Sequence, residues 1–107
     1  MTEDFYCDEV LSGRTVVEKV FESDTVLAYH HTRPFWSVHI VVIPKVHVGS
    51  LLTIDDNKLL LELLDAVKSV AAKVVDEHGA ARVLTNLGRY QDSKHLHFHV
   101  LSGEQTR

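Results

Sequence analysis

Residues 95–101 read His-Leu-His-Phe-His-Val-Leu, a strict alternation of histidine with apolar residues. In a β-strand, successive side chains point to opposite faces, and residues two apart lie about 6.5–7 Å apart on one face. A strand would therefore set three imidazoles in a row and send Leu96, Phe98 and Val100 into the core behind them. A helix would scatter the same histidines around its circumference, so the pattern favours a strand. Because partly buried imidazoles need polar partners, we expect a row that serves chemistry rather than a solvated, histidine-rich face.

The composition is typical of an ordinary globular protein with one domain, residues 1–107. Apolar residues make up 45% of the chain, and the formal net charge of −4 gives no reason to expect a surface for nucleic acid polymers. No apolar run approaches the ~20 residues that span a bilayer, and the acidic N-terminus lacks the apolar region of a signal peptide. The single cysteine, Cys7, excludes an internal disulfide and fits a reducing compartment. We therefore expect a cytoplasmic protein without membrane association.

The remaining elements predict strands on both sides of one helix. Apolar spacing predicts a short N-terminal helix over residues 5–12, ending at Gly13. Runs rich in β-branched residues predict further strands over residues 15–21, 25–30, 38–43 and 82–86. Because the chain shows no βαβ alternation, this order indicates an α+β domain with an antiparallel sheet of about five strands.

The long helix carries more apolar surface than one buried face requires. Its predicted N-cap is Thr53 or Asp55, and it runs to about His78. A stripe of period 3.6 predicts its core face as Leu60, Leu63, Leu64, Val67, Val70 or Ala71, and Val74. Leu59 and Leu61 widen the apolar arc beyond that stripe. Burial under a nearby loop and contact within a homodimer both explain the excess.

One further histidine, His39, lies in the otherwise apolar strand predicted over residues 38–43. A lone histidine in such a strand can be a core residue whose hydrogen bonds are satisfied locally. It can also share a site with the histidines of residues 95–101, because both strands must lie in the same sheet. The sequence leaves both interpretations open.

Two chemistries suit three imidazoles on one face. In the first, His95 and His99, or all three, ligate zinc with an open position for water. Ligands two residues apart reach one metal only from a strongly curved strand or with a third ligand from elsewhere. In the second, a neutral imidazole attacks phosphorus, for which its ordinary pKa of about 6.5 is suitable near pH 7. His97 is then the natural nucleophile, because an imidazole on either side can bind phosphoryl oxygens.

Residues 95–101 also resemble the signature of the histidine triad (HIT) superfamily, in which histidine alternates with apolar residues three times. The resemblance covers roughly residues 6–101, includes the Val-Ile-Pro-Lys run at residues 42–45, and points to the small nucleoside phosphoramidate hydrolase branch. It implies a HIT-like fold, a homodimer and no cofactor. It also implies a hydrolase or transferase that acts on the α-phosphate of a purine nucleoside monophosphate derivative, a phosphoramidate or a phosphoanhydride. The implied intermediate is a covalent nucleotidyl-histidine.

The resemblance implies a role for each matching residue. His97 would attack the α-phosphorus, and His99 would contact the phosphate and assist the leaving group. His95 would orient the nucleophile through its carbonyl and imidazole, and His39 would support the cluster. The implied substrate-binding residues are Asn86 and Gln91 for phosphate oxygens, and Val10 and Tyr29 for the base pocket, although Val10 and Tyr29 are equally explained as core.

The chain departs from the family pattern at several positions. His31 stands where the family has an Asp that binds the ribose hydroxyls, and Asp92 stands where a Ser or Thr touches the leaving group. Bulky Phe35 and Trp36 follow where small residues are common. An alternative function is therefore a regulatory nucleotide-binding protein that has lost efficient turnover.

A zinc site is the remaining alternative. Some members of the family bind structural zinc through two cysteines, a His after the Pro-Lys pair and the first triad His. Here Asp4 takes the place of one cysteine, and the candidate ligands would be Asp4, Cys7, His47 and His95. A buried Cys7 without metal is the favoured interpretation. A zinc-dependent hydrolase is the third candidate function.

Overall fold

The computed structural model describes residues 6–107, without the side chains of Cys7 and Asp8. The strands are β1 (Lys19–Glu22), β2 (Val26–His30), β3 (Trp36–Pro44), β4 (Arg82–Leu84) and β5 (Phe98–Gln105). They form one antiparallel sheet in the order β1-β2-β3-β5-β4. The helical elements are a π-helical turn (Tyr6–Leu11), the long helix α1 (Asn57–His78) and a 3₁₀ turn (Gly88–Tyr90). The predicted α+β fold with a five-stranded antiparallel sheet and one long helix is confirmed.

Helix α1 covers one face of the sheet and forms the main core with it. Its buried side chains are Leu59, Leu63, Ala66, Val67, Val70 and Val74. They pack on apolar residues at alternating positions of the central strands and of the chain entering β5, namely Val26, Ala28, Ile40, Val42, Leu96, Phe98 and Val100. Alternation along each strand therefore places one apolar set against α1 and turns the neighbouring residues to the opposite face.

The N-cap of α1 is Asp56, so the prediction of Thr53 or Asp55 is wrong. Asp56 has extended backbone angles, and its Oδ1 accepts a hydrogen bond of 3.1 Å from the Leu59 N–H. Two adjacent aspartates offer the same cap chemistry, and the choice between them depends on where the preceding loop delivers the chain. At the other end, Gly79 has a φ of 87°, and its N–H donates to the Val75 carbonyl.

The buried stripe of α1 is rotated from the predicted one. Leu59, expected at the edge of the arc, is buried, whereas Leu64 is 42% exposed and Leu60 is only partly buried. Ala66 is buried although it was not predicted to be. The face of α1 that packs on the sheet is the one that carries the smaller residues. Leu61 lies outside that face and is 63% exposed.

Four strands differ from their predicted ranges by two or more residues at one or both ends. β1 begins at Lys19 rather than at residue 15, because the Thr15 N–H bonds to the carbonyl of Glu9 in the N-terminal turn. β3 begins earlier, at Trp36, and its pairing with β5 contains a bulge between Trp36 and Val38. β4 ends at Leu84 rather than at residue 86, because the hydroxyl of the next residue, Thr85, donates a hydrogen bond to the carbonyl of His97. The fourth difference lies in β5.

β5 begins at Phe98, so His95 and His97 precede the strand instead of lying in it. The register pairs Val42 of β3 with Phe98, which would set Pro44 against Leu96. A proline has no N–H for a ladder, and β3 ends there. The Leu96 N–H bonds instead to the carbonyl at position 48 (2.6 Å). β5 continues to Gln105 instead of ending at residue 101.

The face opposite α1 is only half covered. The N-terminal turn lies on part of it and forms a second, smaller core from Tyr6, Val10, Leu27, Tyr29, Val41 and Ile43. Beyond this core the same face forms a cleft. Within residues 6–107, no helix combines the length and the apolar character that crossing a bilayer requires.

Candidate active site

A cleft of about 830 Å³ lies on the sheet face opposite α1. Of the predicted site residues, it brings together Tyr29, His31, His39, Asn86, His97 and His99. Val10, Gln91 and His95 do not line it. The cleft also contains residues that were not predicted as site residues, including Tyr6, Arg33, Leu84, Leu101 and Arg107.

His97 is buried beside the cleft with one ring nitrogen fixed. Its Nδ1 lies 2.7 Å from the carbonyl oxygen of His95. Because a carbonyl only accepts, Nδ1 must carry the proton, and Nε2 keeps an unprotonated lone pair. Burial lowers the pKa of His97, while the hydrogen bond to His95 and the carboxylate of Asp92 oppose that change. The ring of Tyr6 lies 4.8 Å away, centroid to centroid.

His39 and His99 form a hydrogen-bonded pair whose tautomers are also fixed. The Phe35 N–H donates to Nδ1 of His39 (3.1 Å), so the proton of a neutral His39 is on Nε2. That Nε2–H donates to Nδ1 of His99 (2.9 Å), and the proton of a neutral His99 is therefore on its own Nε2. Burial, followed by the neighbouring imidazoles, lowers the pKa of His39 to about 4 and that of His99 to about 3. Both rings are neutral near pH 7, and His39 belongs to the imidazole cluster.

His31 extends the cluster at the far side of His39. The two ring centroids are 4.4 Å apart, and the rings are tilted by 32°. The Arg33 N–H donates to Nδ1 of His31 (2.9 Å), which leaves an Nε2–H on the neutral ring. Burial lowers the pKa of His31, with smaller contributions from His97 and Arg107.

The predicted residues outside the cleft have structural contacts. Gln91 is buried, and its Nε2 donates to the carbonyls of Gly49 (2.7 Å) and Ser93 (2.8 Å). His95 is fully buried, and its Nε2 donates to the carbonyl of Pro44 (2.9 Å). Val10 lies in the smaller core. Of these residues, only His95 acts on the cleft, through the carbonyl that fixes His97.

The three triad imidazoles do not converge on one point. His95 faces Pro44, with Nε2 engaged there, while the other two rings face the cleft. His47 lies 5.4 Å from His95, centroid to centroid, but Asp4 and the side chain of Cys7 lie outside the described residues. In the part of the chain that the structure describes, no three His, Cys, Asp or Glu side chains are arranged to hold a metal ion. The zinc site involving Cys7, the less favoured alternative, is therefore not tested by the described residues.

Comparison with known proteins places this chain in a family. A family model, the HIT domain, matches residues 14–106. The chain belongs to the HIT family. An uncharacterized HIT-like protein of Synechococcus elongatus is 35% identical over 106 residues, which cover 96% of this chain and 93% of that protein.

Solved HIT structures have the same fold. A HIT family hydrolase from Legionella pneumophila is 27% identical, with a TM-score of 0.81 over 97% of this chain and 96% of the other. A hypothetical histidine triad nucleotide-binding protein from Sulfolobus tokodaii is 28% identical, with a TM-score of 0.82 over 95% of this chain and 70% of the other. These similarities support the fold.

Proposed function

We propose that this HIT protein is a hydrolase that cleaves a purine nucleoside 5′-phosphoramidate, or a related phosphoanhydride, at its α-phosphate. The observation that carries the proposal is the fixed tautomer of His97. Its Nδ1 donates to the carbonyl of His95 at 2.7 Å, so the lone pair of Nε2 is available as a nucleophile. The names of the Legionella hydrolase and the Sulfolobus nucleotide-binding protein support the same class.

The reaction proceeds through a bond between His97 and phosphorus. The Nε2 lone pair forms a bond to the α-phosphorus, and the bond to the leaving nitrogen or oxygen breaks with its electron pair on the leaving group. That group takes a proton from water. The hydroxide left behind attacks phosphorus, the phosphorus–Nε2 bond breaks, and its electron pair returns to His97. One substrate and one water give a nucleoside 5′-monophosphate and the protonated leaving group.

The carbonyl of His95 assists this nucleophile. When Nε2 bonds to phosphorus, positive charge develops on the imidazole ring. The Nδ1–H bond to the carbonyl becomes a charge-assisted hydrogen bond at that moment and stabilises the ring. His95 therefore acts through its backbone, and its own imidazole holds the carbonyl in place by bonding to Pro44.

His99 acts as a neutral hydrogen-bond donor in this mechanism. Its Nε2–H binds a phosphoryl oxygen or the leaving atom, where negative charge develops. A further proton on this pair would break either the bond from His39 or the bond from Phe35, because both Nδ1 atoms already accept. The low pKa values of His39 and His99 agree with that restriction. The hydrogen bonds from Phe35 to His39 and from His39 to His99 thus leave an N–H donor on His99 without requiring a charged imidazole.

The nucleoside lies against the aromatic end of the cleft. Tyr6 and Tyr29 contact each other at 6.4 Å, centroid to centroid, and both line the cleft beside His97. Asn86 lines the cleft as well and supplies an amide for phosphate oxygens. An apolar, aromatic wall with one amide near the nucleophile suits a purine ring and an attached phosphate.

Incubation of the protein with adenosine 5′-phosphoramidate tests the proposal. We expect release of AMP and, after rapid quenching in denaturant at alkaline pH, which preserves a phosphorus–nitrogen bond to histidine, a protein mass increased by one adenylyl group that maps to His97. A His78→Gln variant is the matched control, because His78 is an exposed imidazole at the end of α1, remote from the cleft. Retained turnover without any adenylylated protein would contradict the covalent step.

A nucleotide-binding protein without efficient turnover is the second candidate. The exposed carboxylate of Asp92 lines the cleft and acts on the pKa of His97, so it places negative charge near an anionic substrate. In this case AMP would bind, but no AMP would be released from the phosphoramidate. Restored turnover in Asp92→Ser would then identify the cause.

We also propose a homodimer formed through the outer face of α1. Leu61 and Leu64 are 63% and 42% exposed there, and two-fold dimers are the commonest assembly. Sedimentation at micromolar concentration is expected to show twice the 12.1 kDa chain mass. Leu61→Lys should dissociate this species, whereas Val16→Lys, a change at another exposed apolar residue, should not. A wild-type monomer would contradict the proposal.

A further inference from the structure

One wall of the cleft is formed where the end of β5 lies along the loop before β3. The Thr106 N–H donates to the carbonyl of Phe35 (2.7 Å), and the Thr106 hydroxyl donates to the carbonyl of Pro34 (3.3 Å). Arg107 Nη2 donates to the carbonyl of Arg33 (2.9 Å). These bonds hold two arginines on the same wall.

This wall carries positive charge that pairs with no acidic side chain among those the structure describes. Arg33 and Arg107 both line the cleft, and neither forms a salt bridge with any residue between positions 6 and 107 whose side chain is described. The Arg107 guanidinium lies 4.1 Å from the centroid of the Phe35 ring. A hydrogen bond and a ring contact therefore hold it, and among the described residues only one of its five N–H donors is engaged.

His31 adds a third donor beside the two arginines. Its Nδ1 already accepts from the Arg33 N–H, so the neutral ring can offer only its Nε2–H. His31 and Arg107 both contact the Phe35 ring, the His31 ring at 6.1 Å between centroids and the Arg107 guanidinium at 4.1 Å from the centroid. A site with two guanidinium groups and one N–H donor suits an anion and not a cation.

Another part of the cleft carries the opposite charge. Asp92 lies near His97 and is the only acidic residue among the described residues that line the cleft. The basic wall near His31 and the acidic group near His97 therefore divide the cleft by charge. A ligand with a phosphate at His97 and a second anionic group toward His31 matches this division.

We propose that Arg33, Arg107 and His31 bind a second phosphate of the nucleotide, separate from the α-phosphate that His97 attacks. This inference rests on the proposed function. The ring centroids of His31 and His99 are 6.4 Å apart, so one nucleotide can reach both positions. Guanidinium groups bind phosphate through paired N–H donors, which suits a phosphate on the ribose or the next phosphate in a chain.

Calorimetric titration with four ligands tests the inference: AMP, ADP, adenosine 2′,5′-bisphosphate and adenosine 3′,5′-bisphosphate. We expect at least one doubly phosphorylated ligand to bind about tenfold or more tightly than AMP, as one charge-assisted hydrogen bond provides. A preference for a bisphosphate assigns the second phosphate to the ribose, and a preference for ADP assigns it to the phosphate chain. The preference should weaken as salt concentration rises.

Two substitutions connect the preference to this wall. Arg107→Gln should bring the affinity for the preferred ligand close to that for AMP and leave AMP binding nearly unchanged. Arg89→Gln is the matched control, because Arg89 is exposed, outside the cleft lining, and free of salt bridges to described side chains. Circular dichroism shows whether each variant remains folded.

Two results would overturn the inference. In the first, all four ligands bind equally. In the second, a preference exists but survives in Arg107→Gln and in the Arg33→Gln, Arg107→Gln double variant. Failure of AMP itself to bind would instead refute the proposed function, so the two failures are distinguishable.

Discussion

The two faces of the sheet are built by the same strands but have opposite characters. Toward α1, β3 and β5 present the apolar side chains of Ile40, Val42, Phe98 and Val100. Toward the cleft, the neighbouring positions present His39 and His99, and His97, immediately before β5, lines the cleft as well. Each imidazole therefore has a core residue next to it in the chain. The packed face fixes the backbone, and the open face uses that fixed backbone to orient its ring nitrogens.

If the cleft face carries the chemistry, replacing His97 removes activity without removing stability. His97→Ala is expected to lower kcat by at least about 1,000-fold, or about 4 kcal/mol, because no other group supplies the nucleophile. The free energy of unfolding in urea should change little in comparison. Single-turnover assays with adenosine 5′-phosphoramidate measure the first quantity. Retention of more than about a tenth of the wild-type kcat would exclude covalent catalysis by His97.

The adjacent residue should show the reverse behaviour. Phe98 is 7% exposed and packs against α1, so Phe98→Ala leaves a cavity and should reduce the free energy of unfolding by about 3–5 kcal/mol. Activity per folded molecule should remain within a few-fold of the wild type below the unfolding transition. Urea denaturation gives the stability change. An equal loss of catalysis in the folded variant would show that the two faces are not separable.

The division between faces could be predicted from the sequence because it depends only on alternation. The pattern of residues 95–101 placed Leu96, Phe98 and Val100 in the core and His97 and His99 opposite them, and the structure agrees. The strand boundary could not be predicted in the same way. The start of β5 depends on Pro44, because β3 ends there, opposite Leu96. Which residues of two strands pair is decided by the tertiary fold and not by the alternation within one strand.

The parts of the site that the sequence missed are those made by loops. Arg107 reaches the cleft because β5 continues past residue 101 and its end bonds to the loop carrying Pro34 and Phe35. No periodic pattern marks this contact. Gln91 was expected to bind phosphate oxygens. Its amide instead donates to loop carbonyls, and these partners depend on how the loop folds. The imidazole of His95 is engaged by Pro44 for the same reason.

The protonation of the cleft face distinguishes it further from the packed face. The mechanism needs neutral His39, His97 and His99, and burial lowers the pKa of all three. Protonation at acidic pH would remove the lone pair of His97 and would break either the bond between the other two rings or the bond from Phe35 to His39. Activity is therefore lost as pH falls, but below the ordinary imidazole range. We expect a kcat/KM profile that retains more at pH 5.5 than the roughly tenfold loss for a group of pKa 6.5.

The blank for that profile is the His97→Ala protein, because phosphoramidates hydrolyse without enzyme in acid. Its rate at each pH is subtracted from that of the wild type. A loss of kcat/KM toward acidic pH with its midpoint at or above pH 6.5 would show that burial does not keep the imidazoles neutral.

The smallest expected effect concerns how the cleft face selects a sugar. An ionised Asp at position 31 would offer two acceptor oxygens, which can receive both ribose hydroxyls. His31 offers none, because Nδ1 is occupied by the Arg33 N–H and Nε2 carries a proton. It can donate one hydrogen bond to one hydroxyl. We therefore expect weak discrimination between ribo- and 2′-deoxyribonucleoside phosphoramidates, and a sharper preference for ribose in His31→Asp.

The magnitude follows from the exposure of the site. His31 is only half-buried, so one additional hydrogen bond should be worth about 1 kcal/mol, or roughly a fivefold rise in the ribose-to-deoxyribose ratio of kcat/KM. His31→Asn is the matched control, since it has the shape of Asp without the charge and should raise the ratio less. A wild-type ratio that is already steep, and that His31→Asp leaves unchanged or lowers, would assign the sugar to other residues. The contribution of His31 would then be limited to its contacts with His39 and the basic wall.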